Sequence, residues 1–106
     1  MGEMQAMTTI SLVNSDIVVL VSDADADIAC FRWRLKPSDH KDYAVTSVTR
    51  NNRHYTLRMH RLVAARMGLR VRKGIDVHHK NGDRFDNQRH NLEACGHVAH
   101  AYRQRY

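Results

Sequence analysis

Residues 77 to 106 read VHHKNGDRFDNQRHNLEACGHVAHAYRQRY and hold five of the chain's eight histidines, two of them adjacent at His78 and His79. Imidazole has an ordinary pKa near neutrality, so it serves either as a proton acceptor or as a nitrogen ligand to a metal. A packed core does not need so many histidines, asparagines and arginines. A metal site does, and so does a surface that meets phosphate.

The elements that would position these side chains can be read from the pattern around them. Asp76–His79 is short and β-like, NGDRFDNQRHN is a loop of turn formers, LEAC is again extended, and GHVAHAYRQRY reads as a terminal helix. Asn81–Gly82 supplies a tight turn, and Asp86–Asn87 can hydrogen-bond their own backbone to shape the loop. Upstream, ISLVNSDIVVLV reads as two β-prone runs around a turn, after a loose start over residues 1 to 8. Ser22 before DADADIACFRW is a helix-start signal, with acids at the positive end of the helix dipole. Those aspartates lack the glycine and late glutamate of a calcium loop. Tyr43–Thr49 and His54–Met59 form a predicted hairpin across Asn51–Asn52, since asparagine tolerates the left-handed turn conformation. HRLVAARMGL then gives a helix with Leu62, Val63, Ala65 and Met67 on one face, ended at Gly68.

Charge separates the chain into two parts. Residues 1 to 31 carry five acids and no Lys or Arg; residues 32 to 106 carry all seventeen basic residues against six acids, a net of +11. Thirteen of the seventeen are arginine, whose planar fork suits phosphate, so nucleic acid is the expected partner. The length of 106 residues fits one domain. No apolar run approaches the roughly 18 to 20 residues of a membrane span, and the start has no signal-peptide pattern. Cys30 and Cys95 lie outside any CxxC spacing and read as two buried thiols in a reducing compartment.

The spacing of His79, Asn91 at +12 and His100 a further nine residues on, with HHKNGD, DN and NLE around them, resembles the HNH endonuclease family. The likeness is densest over residues 76 to 103. It extends more weakly to YAVTSV and MHRLVAARMG, which look like the strand and helix preceding the motif in phage and intron-associated members. The resemblance implies an α+β fold in one domain over residues 1–106. In it a C-terminal ββα-metal motif over residues 76–106 packs with strands and helices over 9–75. It also implies that His79 is the general base, that His78 and His100 ligate one divalent ion, and that Asn91 ties the loop to the strands and keeps the His79 ring oriented. The expected products are a 5′ phosphate and a 3′ hydroxyl.

Phage-type members commonly carry Asp before the base, where this chain has His78; other members, bacterial nuclease toxins among them, have a His–His pair there. An imidazole ligand favours Zn, Ni, Mn or Co over Mg, which prefers oxygen. His97, at i, i+3 from His100, is a candidate third ligand, and Asp76, on the His78 face of the strand, a weaker one. Lys80, Arg84, Arg89 and Arg103 are the candidate DNA contacts. His40, His54 and His90 read as solvated, His60 as a residue that packs under the site or caps the helix, and Trp33, Phe31 and Phe85 as core or loop anchors.

The resemblance therefore leads to the expectation of a metal-dependent DNA endonuclease of a bacterial or phage-infected cytoplasm. The alternative is a non-catalytic DNA-binding module that keeps a metal-stabilised ββα fold. RNA as substrate stays open, a zinc finger fails for want of paired cysteines, and no apolar stripe demands a homodimer, although one is allowed.

Overall fold

The computed structural model describes residues 6–37, 42–69, 71 and 74–96. Its architecture is α+β: short strands in three small sheets, one α-helix and two 3-10 helices among these residues. No helix among them is long and apolar enough to cross a membrane.

β1 (Met7–Ser11) and β2 (Val18–Ser22) form the expected antiparallel hairpin, Thr9 opposite Leu20. The first strand begins inside the stretch read as a loose start. Alternation explains the pairing: Val19 and Val21 are fully buried while Val18 faces out. Asn14 in the turn also joins the next sheet, accepting from the Leu35 amide at 2.7 Å and donating to its carbonyl at 3.0 Å.

The acidic segment is a 3-10 helix, Asp23–Cys30, and its Ser22 makes no side-chain cap. Ser22 Oγ instead accepts the Arg89 amide at 2.9 Å. In a 3-10 helix residues i and i+3 eclipse, and here that spacing turns Asp25 and Ile28 inward together. The aspartates therefore do more than complement a dipole. Cys30, expected to be buried, is exposed at the end of this helix; Cys95 is buried, and both thiols are free.

β3 (Arg34–Lys36), unforeseen beside the polar KPSDHKD break, pairs antiparallel with β4 (Tyr43–Arg50), which pairs with β5 (Arg53–Arg58). Asn51 and Asn52 at the tip have φ of 52° and 61°, the consecutive left-handed pair of a tight hairpin turn. α1 (Met59–Arg66) follows without a break and stops before Gly68, at φ 83°. The helix begins one residue earlier than its apolar pattern suggested, so its inward stripe is Met59, His60, Val63 and Ala64, with Ala65 exposed.

β6 (Ile75–His79) and β8 (Leu92–Gly96) pair antiparallel, His79 opposite Leu92 and His78 opposite Glu93. The segment between them is not all loop. Asp86–Asn87 forms β7, parallel to β2 with Leu20 opposite Asp86 and Val21 opposite Asn87, and a 3-10 turn follows at Arg89–Asn91. The strands expected at Asp76–His79 and over LEAC are thus present; the helix expected after them, with His97, His100 and Arg103, falls on residues outside those described, as does His40.

One hydrophobic cluster draws on all three sheets: Val19 and Val21 from β2, Ala44 from β4, Met59 and Val63 from α1, Val77 from β6 and Leu92 from β8. Trp33 anchors its centre, 1% exposed, with the indole N–H donating to the Ile28 carbonyl at 2.8 Å and Phe31 edge-on at 6.0 Å. Phe85 packs partly buried against the same cluster. The acidic N-terminal segment is therefore part of the core that carries the histidine strand.

Candidate active site

The site begins with β6, which ends in His78 and His79. Successive strand residues project to alternate faces, yet here both histidines line one concavity of about 150 Å³ with Tyr43, Gly82 and Arg84. His79 is half-buried. Its Nε2 lies 2.7 Å from the side-chain oxygen of Asn87. An amide oxygen only accepts, so the contact places the ring proton on Nε2 and leaves Nδ1 with the lone pair. Burial holds the His79 pKa below its ordinary 6.5, outweighing the Asn87 hydrogen bond and the charges of Asp83 and Asp86, which act upward; Arg84 adds to the lowering. At neutral pH the ring is neutral and can accept a proton.

Behind it stands His60, only 5% exposed, whose ring centroid is 5.3 Å from that of His79. Tyr43 stacks on the other partner of this column, 4.6 Å from His60 at an interplanar angle of 15°. These contacts agree with reading His60 as packing beneath the site. His54 and His90 are exposed, His54 meeting Thr49 Oγ1 at 2.9 Å through Nδ1.

The loop from Asn81 to Asn91 is closed by amides. Asn91, 4% exposed, donates from Nδ2 to the Asp86 carbonyl at 2.8 Å and to Asn81 Oδ1 at 3.0 Å, and its Oδ1 accepts the Asn81 amide at 3.1 Å. The Asn91 carbonyl accepts the Lys80 amide at 2.8 Å, carrying the β6–β8 ladder one step further. Asp86 binds Asn81 Nδ2 at 3.0 Å and Gln88 Nε2 at 2.9 Å. Asn81 and Asp83 each accept from the amide two residues on, at 2.8 and 2.9 Å, as turn formers do.

Asn91 thus ties the loop to the strands, while the side chain that meets the His79 ring is Asn87. Sequence reasoning grouped Asn87 with Asp86 as a pair satisfying its own backbone. Asp86 does accept the Gln88 amide, at 3.3 Å. Asn87 reaches the histidine because β7 pairs with β2, a contact between distant segments that a two-residue Asp–Asn strand does not advertise.

Of the candidate DNA contacts, Arg84 lines the concavity and Lys80 is exposed beside it. Arg89 is committed elsewhere: its Nε and Nη2 donate to the two oxygens of Asp25 at 2.9 and 2.8 Å. Asp25 is fully buried and also meets Arg66 at 3.3 Å, while Arg66 grips Asp27 through two contacts of 2.6 Å. The Arg89 hydrogen bonds, and with less weight Arg66, hold the Asp25 carboxyl below the usual range despite its burial. Arg89 therefore braces the loop from behind.

For a metal, the described residues supply one implied ligand, His78, on the wall of the concavity. Asp76, His78 and His60 also line an adjoining recess of about 110 Å³. Among the described residues no three His, Cys, Asp or Glu side chains converge closely enough to hold an ion. A scan against protein-family models gave no match, and neither did searches of curated proteins and of solved structures.

Proposed function

We propose that the protein is a metal-dependent DNA endonuclease in which His79 is the general base for phosphodiester hydrolysis. One observation carries the reading most: a neutral imidazole, its Nε2 proton engaged by Asn87 and its Nδ1 left as acceptor, on the wall of a concavity shared with His78 and Arg84. The resemblance of residues 76 to 103 to the HNH family and the net charge of +11 beyond residue 31 point the same way.

In this reading His79 Nδ1 takes a proton from water as its oxygen attacks phosphorus. The P–O3′ bond breaks and the departing 3′ oxygen takes a proton from solvent, leaving a 5′ phosphate and a 3′ hydroxyl. A positioned base of this kind contributes about 100- to 10,000-fold. Arg84 offsets charge on the phosphate, and Asn87 keeps the ring in the required tautomer. A divalent ion held by His78 with His100, and His97 as the open third donor, would supply Lewis-acid stabilisation of the leaving oxygen. Mn, Ni, Co and Zn suit such nitrogen donors better than Mg.

The test is incubation of supercoiled plasmid with wild-type and His79→Ala protein across Mg²⁺, Mn²⁺, Co²⁺, Ni²⁺ and Zn²⁺. Nicked or linear plasmid from the wild type alone is the expected result. Wild-type protein that binds DNA yet leaves it intact under every ion would instead identify a non-catalytic DNA-binding module.

A further inference from the structure

Three concavities around the histidines share lining residues. The largest, about 460 Å³, lies between β5 and α1 and is lined by Lys36, Arg58 and Arg61. Arg58 and Arg61 also line the recess that holds His60 and His78, and Tyr43, Val77 and His78 pass from that recess into the one that holds His79 and Arg84. The three adjoin as one trough, with Lys36, Arg58 and Arg61 lining the first concavity and His78, His79 and Arg84 the third. Asp76 is the single carboxylate among its described lining residues.

The sequence explains how the cations come together. Arg58 ends β5 and α1 begins at the next residue, so Arg58 and Arg61 sit one helical turn apart, at the neighbouring i, i+3 spacing. Lys36 ends β3, the strand across β4 from β5. Lys36 and Arg58 are exposed, and neither enters an ion pair among the described residues. Contrast Arg66 and Arg89, which the buried Asp25 holds. Arg61, in the same groove, donates to the Ile75 carbonyl at 3.0 Å, so the cations the groove offers without an ion pair among the described residues are Lys36 and Arg58.

We infer that this trough is a track for one strand of DNA, held through its phosphates by Lys36 and Arg58 as it approaches the histidines. The inference rests on the nuclease reading for the identity of the polyanion and extends it to the β3–β4–β5 sheet, outside the ββα unit. Contacts of this kind position the strand without reading its sequence. The partner is negatively charged along its length, as a line of cations leading into a base requires.

Binding measured in EDTA separates this inference from catalysis. A short fluorescein-labelled duplex would be titrated by anisotropy over a range of salt against wild-type protein, Lys36→Gln/Arg58→Gln, and the charge-matched control Arg32→Gln/Arg53→Gln. Arg32 and Arg53 are exposed and line none of the three concavities. The trough variant is expected to bind at least about tenfold more weakly and to lose about 1.8 from the log–log salt slope, two phosphate contacts' worth. The control should stay within about twofold of wild type, its remote charges being screened. Equal losses in the two variants, or none in either, would overturn the track. A protein that shows the expected losses but nicks no plasmid would sink the nuclease reading and leave the track standing.

Discussion

Asn87 and His79 meet at 2.7 Å through Oδ1 and Nε2, and the backbone of Asn87 is itself paired with Val21 of β2. The tautomer of the candidate base is thereby set by the N-terminal hairpin. A side chain buried to 1% exposure has little freedom to release the ring.

Replacing Asn87 should separate orientation from basicity. Asn87→Ala removes one neutral hydrogen bond, worth about 1 kcal/mol of stability, together with the constraint on the ring, and nicking should fall at least about tenfold with DNA affinity retained. Asn87→Asp keeps the acceptor and adds a charge, so it should raise the His79 pKa. Proton NMR of metal-free protein reads this directly. Wild-type His79 should titrate below 6.5, as its burial requires, and the Asp variant above wild type. The linkage has a definite sign: with the folded pKa depressed, the unfolded chain binds more protons as pH drops below 6.5, so this group's contribution to stability declines from there through the folded pKa. Identical titration in wild type and Asn87→Asp would mean the contact is not made in solution.

Asp25 gives a second prediction. It is fully buried between Arg89 and Arg66, and removing one member of such a cluster leaves the others uncompensated. Because both guanidiniums are about a third exposed, Asp25→Ala should cost about 2 to 3 kcal/mol rather than the full buried-pair figure. The carboxyl is held below 3.8, so its contribution is complete above that value and is lost as pH falls through the folded pKa. Urea unfolding of wild type and Asp25→Asn at neutral pH and near pH 3 should show the gap narrowing in acid. A gap that stays constant would mean that charge is not what Asp25 contributes.

The elements that sequence revealed are those whose causes are local. Alternating valines made β2, two asparagines turned the β4–β5 hairpin, and Gly68 stopped α1. The histidine strand and its return at Leu92 were legible for the same reason. The features that escaped are contacts across long separations. Nothing near Asp86–Asn87 announces a strand, because its partner is Leu20–Val21. Counting charge by segment found an acidic start and a basic remainder, yet could not show that Asp25 would hold Arg89. Asn91 closes the loop through its amide, whereas the amide on the ring itself, Asn87, depended on that unseen strand.

The ring column offers a third prediction. Tyr43 stacks on His60, which packs on His79. Tyr43→Ala should cost about 1 kcal/mol of stacking and let His60 and His79 move, broadening their imidazole NMR signals. Tyr43→Phe keeps the ring and should preserve both stability and line shape. If Phe and Ala behave alike, the hydroxyl rather than the stack is what matters at this position.

The last prediction concerns Asn91, where an isosteric change should do more harm than a truncation. Asn91→Ala leaves the Asp86 carbonyl and the Asn81 amide without a partner, at about 2 to 3 kcal/mol. Asn91→Asp preserves shape but turns an oxygen towards the Asp86 carbonyl where Nδ2 now donates at 2.8 Å, and it brings a second carboxylate near that of Asp86. Repulsion adds to the lost hydrogen bonds, so at neutral pH Asp should be the less stable of the two. Acidification protonates the new carboxyl and restores a donor, and the order should close or reverse towards pH 4. Hydrogen exchange across residues 81 to 91 would register the opening in both variants, with nicking lost because Asn87 no longer meets His79. An Asp variant as stable as wild type at neutral pH would show that the loop is held closed by something other than these amide contacts.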